Sequence, residues 1–179
     1  IYNTKLNSVS FGVPQFRERV VLIGLREDVS FRFPISATGP GVDRLIDEGQ
    51  LLTPSRWALE DVEGTPNHVI RNHGEAVRRR YTQTPQGGRD KTDHTDRIDP
   101  TRPSGTVLVG SSDGGGRPHI HAYQPRVITV REAARLQSFP DWYEFYGTST
   151  AQYRQVGNAV PPLLAYEVGK KIIEALDQY

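Results

Sequence analysis

The sequence predicts a mixed α/β fragment: a buried strand whose sheet partners lie elsewhere, a long segment holding only short β-type pieces, and C-terminal helices, the last of them amphipathic. Three observations predict it. A short run rich in β-branched residues follows a proline turn near the start. Roughly a hundred residues with many Gly and Pro and no long-range periodicity come next. Helical signals then return after residue 126. On that basis the chain divides into residues 1–26, 27–125 and 126–179.

Residues 1–10 read as the end of a preceding element, and Phe11-Gly12-Val13-Pro14 makes a turn. Arg19-Val20-Val21-Leu22-Ile23-Gly24-Leu25 reads as a buried strand in a sheet covered on both faces, with its sheet partners expected outside this chain. Segment 41–63 is acidic, six carboxylates against two arginines, and segment 71–91 is basic, six cations against two carboxylates. The near-neutral total therefore hides a polarised middle. Gly87-Gly88 and Gly114-Gly115-Gly116 mark loops beside Arg89 and Arg117, and Thr106-Val107-Leu108-Val109 is a β-type piece between them. Thr129-Val130-Arg131-Glu132 matches a capping box, starting a helix that runs to about Ser138 and ends at Phe139-Pro140. Pro161-Pro162 opens the last helix. Leu164, Ala165, Val168, Ile172, Ala175 and Leu176 share one half of its wheel, and Glu167, Lys170, Lys171 and Glu174 the other. Its apolar face needs a partner, again expected outside the chain, so an isolated piece would self-associate through exposed apolar faces.

At 179 residues, 36% hydrophobic and 24% charged, the chain supports one domain or a small domain with an appendage. No apolar run approaches the roughly 20 residues of a membrane span, and the polar N-terminus is no signal peptide, so a cytoplasmic protein is expected. Cysteine is absent, which excludes disulfides and any thiolate ligand or nucleophile within these residues. Methionine is absent too, even at position 1, which reads as a cut piece of a longer polypeptide or a trimmed terminus. Net charge is +1, but Arg outnumbers Lys 18 to 4. The planar guanidinium fork suits phosphate and guanine edges, although a GC-rich genome would give the same bias.

Three stretches carry more specific information. The first is Phe11-Gly12-Val13-Pro14-Gln15-Phe16-Arg17-Glu18-Arg19, a Gln-x-Arg-x-Arg pattern before a strand. The second is the sixteen-residue run from Arg126 to Asp141, and the third is Tyr153-Arg154-Gln155-Val156-Gly157-Asn158-Ala159-Val160-Pro161-Pro162. In this order and spacing they resemble the last three sequence blocks of the DNA cytosine-5 methyltransferases.

The resemblance implies the C-terminal part of an S-adenosylmethionine-dependent methyltransferase fold plus a mostly β target-recognition domain inserted between the first and second blocks. It implies double-stranded DNA as substrate, S-adenosyl-L-methionine as methyl donor, a cytosine flipped out of the helix, and a bacterial restriction-modification setting at the nucleoid. It also implies that the cysteine nucleophile, the glycine-rich cofactor loop and the glutamate assisting at N3 belong to polypeptide not present here. Arg19 is expected at O2 of the flipped cytosine, with Arg17 and Gln15 holding the site; outside the family the arginines would read as surface residues flanking an edge strand. Asn158 and Ala159 are expected beside the cofactor, although Gly157-Asn158 would also serve as a turn or N-cap. Arg131, Glu132 and Arg135 are expected to brace the recognition domain through buried ion pairs rather than form a solvated face.

In the middle region, Thr106 to Gly110 and the glycine-rich loop through Arg117 resemble the family's recognition strand and loop, with Val107 and Val109 in place of Leu and Ala. Arg117 is the candidate for bidentate reading of a guanine. Arg78, Arg79, Arg80, Arg89, Lys91 and Arg102 are candidate phosphate contacts, each with a solvated charge as the plain alternative. No metal site is expected: His119-x-His121 lacks nearby thiols and carboxylates in the sequence. Three whole-protein readings follow: a fragment of a single-chain enzyme, a separately encoded recognition subunit that assembles with a catalytic one, or a DNA-binding relic.

Overall fold

The computed structural model describes residues 1–26, 29–35, 45–47, 50–107 and 118–177. The chain opens with a hairpin. β1 (Tyr2–Asn7) pairs antiparallel with β2 (Glu18–Ile23), Tyr2 opposite Ile23 and Asn7 opposite Glu18. Residues 1–10 hold a strand and a 3₁₀ turn (Ser8–Phe11), and β2 finds a sheet partner within the chain. Among the described residues β2 is covered on one face only. Leu6 is buried on the inner face, while Val20 and Leu22 are 65% and 68% exposed on the outer one. An apolar run looks the same in sequence whether one or both faces are covered; here Lys5 and Asn3, opposite Val20 and Leu22, supply the polar half of the outer face.

The inner face is roofed by α4 (Pro162–Leu176). Leu164 and Val168 pack on Leu6 and Phe11, with Val21, Ile23, Phe33 and Ile172 at the margin, and Ala175 packs on Val29 and Phe31. The partner expected outside the chain is therefore the chain's own hairpin. Ala165 and Leu176 are exposed, because the covered stripe is narrower than half the wheel.

Among the described residues the middle region is mostly irregular rather than mostly β. It holds β3 (Leu45–Asp47) paired with β4 (Gln50–Leu52), a 3₁₀ turn at Ser55–Ala58, α1 (Glu75–Gln83) and isolated bridges. Side chains replace ladders: Arg97 donates to the carbonyls of Tyr81, Thr84 and Ala122 at 2.7–3.2 Å. Thr106 and Val107 form no strand, and Leu108 to Arg117 lie outside the described residues.

α2 (Val130–Leu136) has the expected capping box, Thr129 Oγ1 accepting from the Glu132 N–H and Glu132 accepting from the Thr129 N–H. α3 (Ser149–Asn158), capped by Thr148, has no counterpart in the sequence reading. α2 sits in the main apolar cluster, where Ala58, Leu59, Ile98 and Val107 meet Ile128, Ala133, Leu136, Phe145 and Val156. The bracing expected around α2 takes a mixed form. Glu132, fully buried, is held by both Nη groups of buried Arg126 at 2.7 and 2.8 Å. Arg131 instead donates to the carbonyls of Pro66, Pro140 and Tyr143. Arg135 grips Asp141 with two bonds and reaches the carbonyls of Glu60 and Asp61. Burial alone would push the Glu132 carboxyl up; the bonds from Arg126 and the Thr129 N–H outweigh it and hold it below its ordinary value.

His121 lies in the same cluster. Its Nδ1 accepts from the N–H groups of Tyr123 and Gln124, so the ring proton sits on Nε2, 3.6 Å from Glu132 Oε1. Burial draws its pKa down to about 4 against the opposing pull of Glu132. His119 and His73 are also held low by burial.

Two stability measurements test this account. Glu132→Ala strands the Arg126 guanidinium in the interior and should cost about 3–5 kcal/mol in urea denaturation, whereas Thr129→Ala should cost about 1 kcal/mol as a lost cap; equal effects would mean that the ion pair matters no more than the cap. For pH, an unfolded histidine takes up its proton near 6.5, while folded His121 does so only near 4. Its contribution is therefore present above that window and lost as pH falls through it. Urea midpoints should decline as pH falls from about 6.5 towards about 4, and His121→Asn, whose Oδ1 can accept the same two N–H groups, should flatten the decline. A remainder from His73 and His119 is expected; an undiminished slope would assign the effect elsewhere.

Candidate functional site

Gln15, Arg17 and Arg19 recur every second residue, the period of extended backbone. They continue the inner face of β2, where Arg19 stands opposite Leu6. The loop before them is closed by Ser8, whose N–H donates to the Arg17 carbonyl and whose hydroxyl donates to the Gln15 carbonyl. Residues 14–16 are held on the other side by residues 104–106: Phe16 N–H donates to the Ser104 carbonyl, Ser104 N–H to the Pro14 carbonyl, and Thr106 Oγ1 to the Phe16 carbonyl at 2.7 Å. Thr106, expected in the recognition region, therefore abuts the Gln-x-Arg-x-Arg segment directly.

The three side chains differ sharply. Arg17 is 1% exposed, and its Nη2 donates to the carbonyls of Gly157 at 2.5 Å and Ala159 at 2.8 Å. Burial, with the nearby charge of Arg19, lowers its pKa to about 10, so it stays charged at neutral pH. Gln15 is fully buried, and its amide finds no partner among the described residues; nor do Nε and Nη1 of Arg17. Arg19 is half-buried, and its Nη1 donates only to the neighbouring Glu18 carbonyl.

Asn158 is the last residue of α3 and Ala159 its C-cap, so Asn158 is no N-cap for α4, which Pro161 opens without a side-chain cap. Asn158 is exposed and Ala159 half-buried. Gln137 also holds this end of α3, its Nε2 donating to the Val156 carbonyl at 2.8 Å. Sequence reasoning missed Gln137; its place inside the second block was the available signal. Arg17 and Gln137 thus engage the carbonyls of Val156, Gly157 and Ala159, and Asn158 among them is exposed. An accessible amide of this kind can flank a bound molecule but encloses nothing by itself.

The basic candidates divide by environment. Arg78 and Arg79 are exposed on α1. Arg80 is engaged with Asp90 and Asp93, and Arg89 with Asp96. Lys91 and Arg102 are exposed, and Arg117 lies outside the described residues. No group of three or more potential metal ligands occurs among the described residues, although Glu132 does bring a carboxylate beside His121. No helix among the described residues is long and apolar enough to cross a membrane.

The fold is that of the DNA methyltransferases of known structure: a prophage-encoded DNA modification methyltransferase of E. coli superposes on 99% of the chain and 60% of its own length, with TM-score 0.67 at 24% identity. The sequence model of the C-5 cytosine-specific DNA methylases matches residues 1–174, and the chain belongs to that family. It is 35% identical over 185 residues to the type II methyltransferase M.NgoFVII of Neisseria gonorrhoeae, covering 93% of this chain and 48% of that protein. It is 33% identical over 193 residues to M.Sau96I of Staphylococcus aureus, covering 100% and 44%. The chain spans about half the length of these relatives.

Arg17→Ala tests the latch. It leaves the Gly157 and Ala159 carbonyls without their buried donor and should cost about 1–3 kcal/mol. Amide exchange in the last turn of α3 should rise selectively, at Gly157 to Ala159, with α2 unaffected; uniform change across the chain would contradict a local latch.

Proposed function

We propose that this chain is the target-recognition and C-terminal part of a DNA cytosine-5 methyltransferase, an enzyme that moves a methyl group from S-adenosylmethionine to C5 of a cytosine flipped out of a specific DNA sequence. The observation that carries this reading is the Arg17 latch, which sets the Gln-x-Arg-x-Arg segment beside Gly157-Asn158-Ala159. Those are the segments that the family resemblance assigns to the base and to the methyl donor.

The chain's own residues then have distinct tasks. A nucleophile from the remaining polypeptide adds to C6, and negative charge develops on the ring. Arg19, tied only to a surface carbonyl, can turn its guanidinium to the O2 of the base and stabilise that charge, an effect that grows as water is excluded. Arg17 keeps the strand in place and adds fixed positive charge behind Arg19; Gln15 fills the buried space where that segment bridges Ser104. S-adenosylmethionine supplies the electrophilic methyl when bound, and Asn158 flanks it from the end of α3. The exposed cations Arg78, Arg79, Lys91 and Arg102 face DNA phosphates, and Arg117 reads a base.

With labelled S-adenosylmethionine and duplex DNA, the purified chain should transfer no methyl, since it holds no cysteine. Mixing it with the complementary N-terminal half should restore transfer, and Arg19→Ala in that mixture should remove most of it. Turnover by the chain alone, or near-normal rates for Arg19→Ala, would contradict these assignments.

A further inference from the structure

A cleft of about 370 Å³ opens between the segment before α1 and the turn at Gln124–Arg126, apart from the Gln15–Arg19 and Gly157–Ala159 segments. Its polar lining comes from Arg71, Asn72, His73, Arg78, Gln124 and Arg126, and no carboxylate lines it. Arg126 is committed: its Nη groups hold Glu132, and its Nε donates to Gln124 Oε1 at 2.6 Å. That bond engages the oxygen of the Gln124 carboxamide and leaves its NH₂ donors to the cleft. His73 Nε2 accepts the Val127 N–H at 3.3 Å, which places the ring proton on Nδ1. Burial first, and then the charge of Arg71, favour the neutral ring, against the opposing pull of Asp93.

Arg71 and Arg78 are the uncommitted charges. Both are exposed, and neither pairs with a carboxylate among the described residues, unlike Arg80 and Arg89 close by. Two free guanidiniums beside amide donors, with no carboxylate opposing them, complement an oxyanion. The cleft is open and continuous with the basic surface of α1, where Arg79 is also exposed. That suits one phosphate of a long backbone better than an enclosed small anion.

We infer that this cleft grips a single phosphodiester of the DNA backbone, with Arg71 and Arg78 as its two charged arms. The inference rests on the DNA-binding reading and deepens it by naming Arg71 and the cleft. Such a contact sets affinity and register without reading sequence.

Fluorescence anisotropy of a labelled duplex, titrated with the full 179-residue chain at several chloride concentrations, tests it. Arg71→Ala and Arg78→Ala should each weaken binding on all sequences and lower the slope of log K against log salt by about one. Arg71→Lys should keep most of the slope and Arg71→Gln should lose it, which separates lost charge from lost folding. Arg32→Ala, an exposed arginine beside α4, should leave it unchanged. Unaltered slopes in Arg71→Ala and Arg78→Ala, with wild-type binding intact, overturn the cleft but not DNA binding. No salt-dependent duplex binding by the wild type overturns both. If inorganic phosphate raises the thermal midpoint of the wild type but not of Arg71→Ala while DNA slopes stay equal, the cleft holds a free anion and the inference fails.

Discussion

Arg17 carries a positive charge into the interior where no carboxylate among the described residues meets it. Its partners are the carbonyls of Gly157 and Ala159, at the opposite end of the chain. The last carbonyls of a helix have no intrahelical donor and carry partial negative charge, so a guanidinium is a fitting counterpart. Because Ala159 leads directly to Pro161 and Pro162, fixing it also fixes where α4 begins. α4 in turn covers the hairpin whose second strand follows Arg17. The first and last segments therefore position one another, and the middle region is threaded between them.

α2 extends the same arrangement. Gln137 at its C-terminal end holds the Val156 carbonyl, next to the Gly157 carbonyl that Arg17 holds. Arg131 and Arg135 clamp residues 60–67 through backbone oxygens, and the Arg126–Glu132 pair anchors the capping box. Burying charges is costly, so such pairs are weak sources of stability and strong fixers of geometry. Here they fix residues 60–67 and the capping box of α2 against one another.

Much of this was legible in the residues. The capping box at Thr129–Glu132 and the proline-opened last helix are local signals, and both elements formed. The Gln-x-Arg-x-Arg segment and Gly157–Ala159 were singled out separately, yet nothing in the sequence says that a contact joins residues 140 positions apart. β1 was missed because Tyr2-Asn3-Thr4-Lys5-Leu6-Asn7 is half polar, as suits an exposed face, and the hairpin hid the partner that β2 and α4 both needed. α3 was missed because Gly157 and Asn158 read as a turn; they do end a helix, but only its last turn shows in the sequence. Among the described residues the middle region is mostly loops tied by Arg97, since its frequent Pro and Gly interrupt ladders before they propagate. Arg80 and Arg89 looked like neighbours of Arg78 and Arg79, and only the folded loop shows their carboxylate partners.

The central claim is that the Arg17 guanidinium bridges the two ends of the chain, and nitrogen-resolved NMR of ¹⁵N-arginine-labelled protein addresses it most directly. The account predicts one guanidinium, absent from spectra of Arg17→Lys, with slowly exchanging and inequivalent Nη protons that show through-space contacts to Gly157 and Ala159. Arg17 Nη signals that exchange as fast as those of surface arginines, without such contacts, would contradict it.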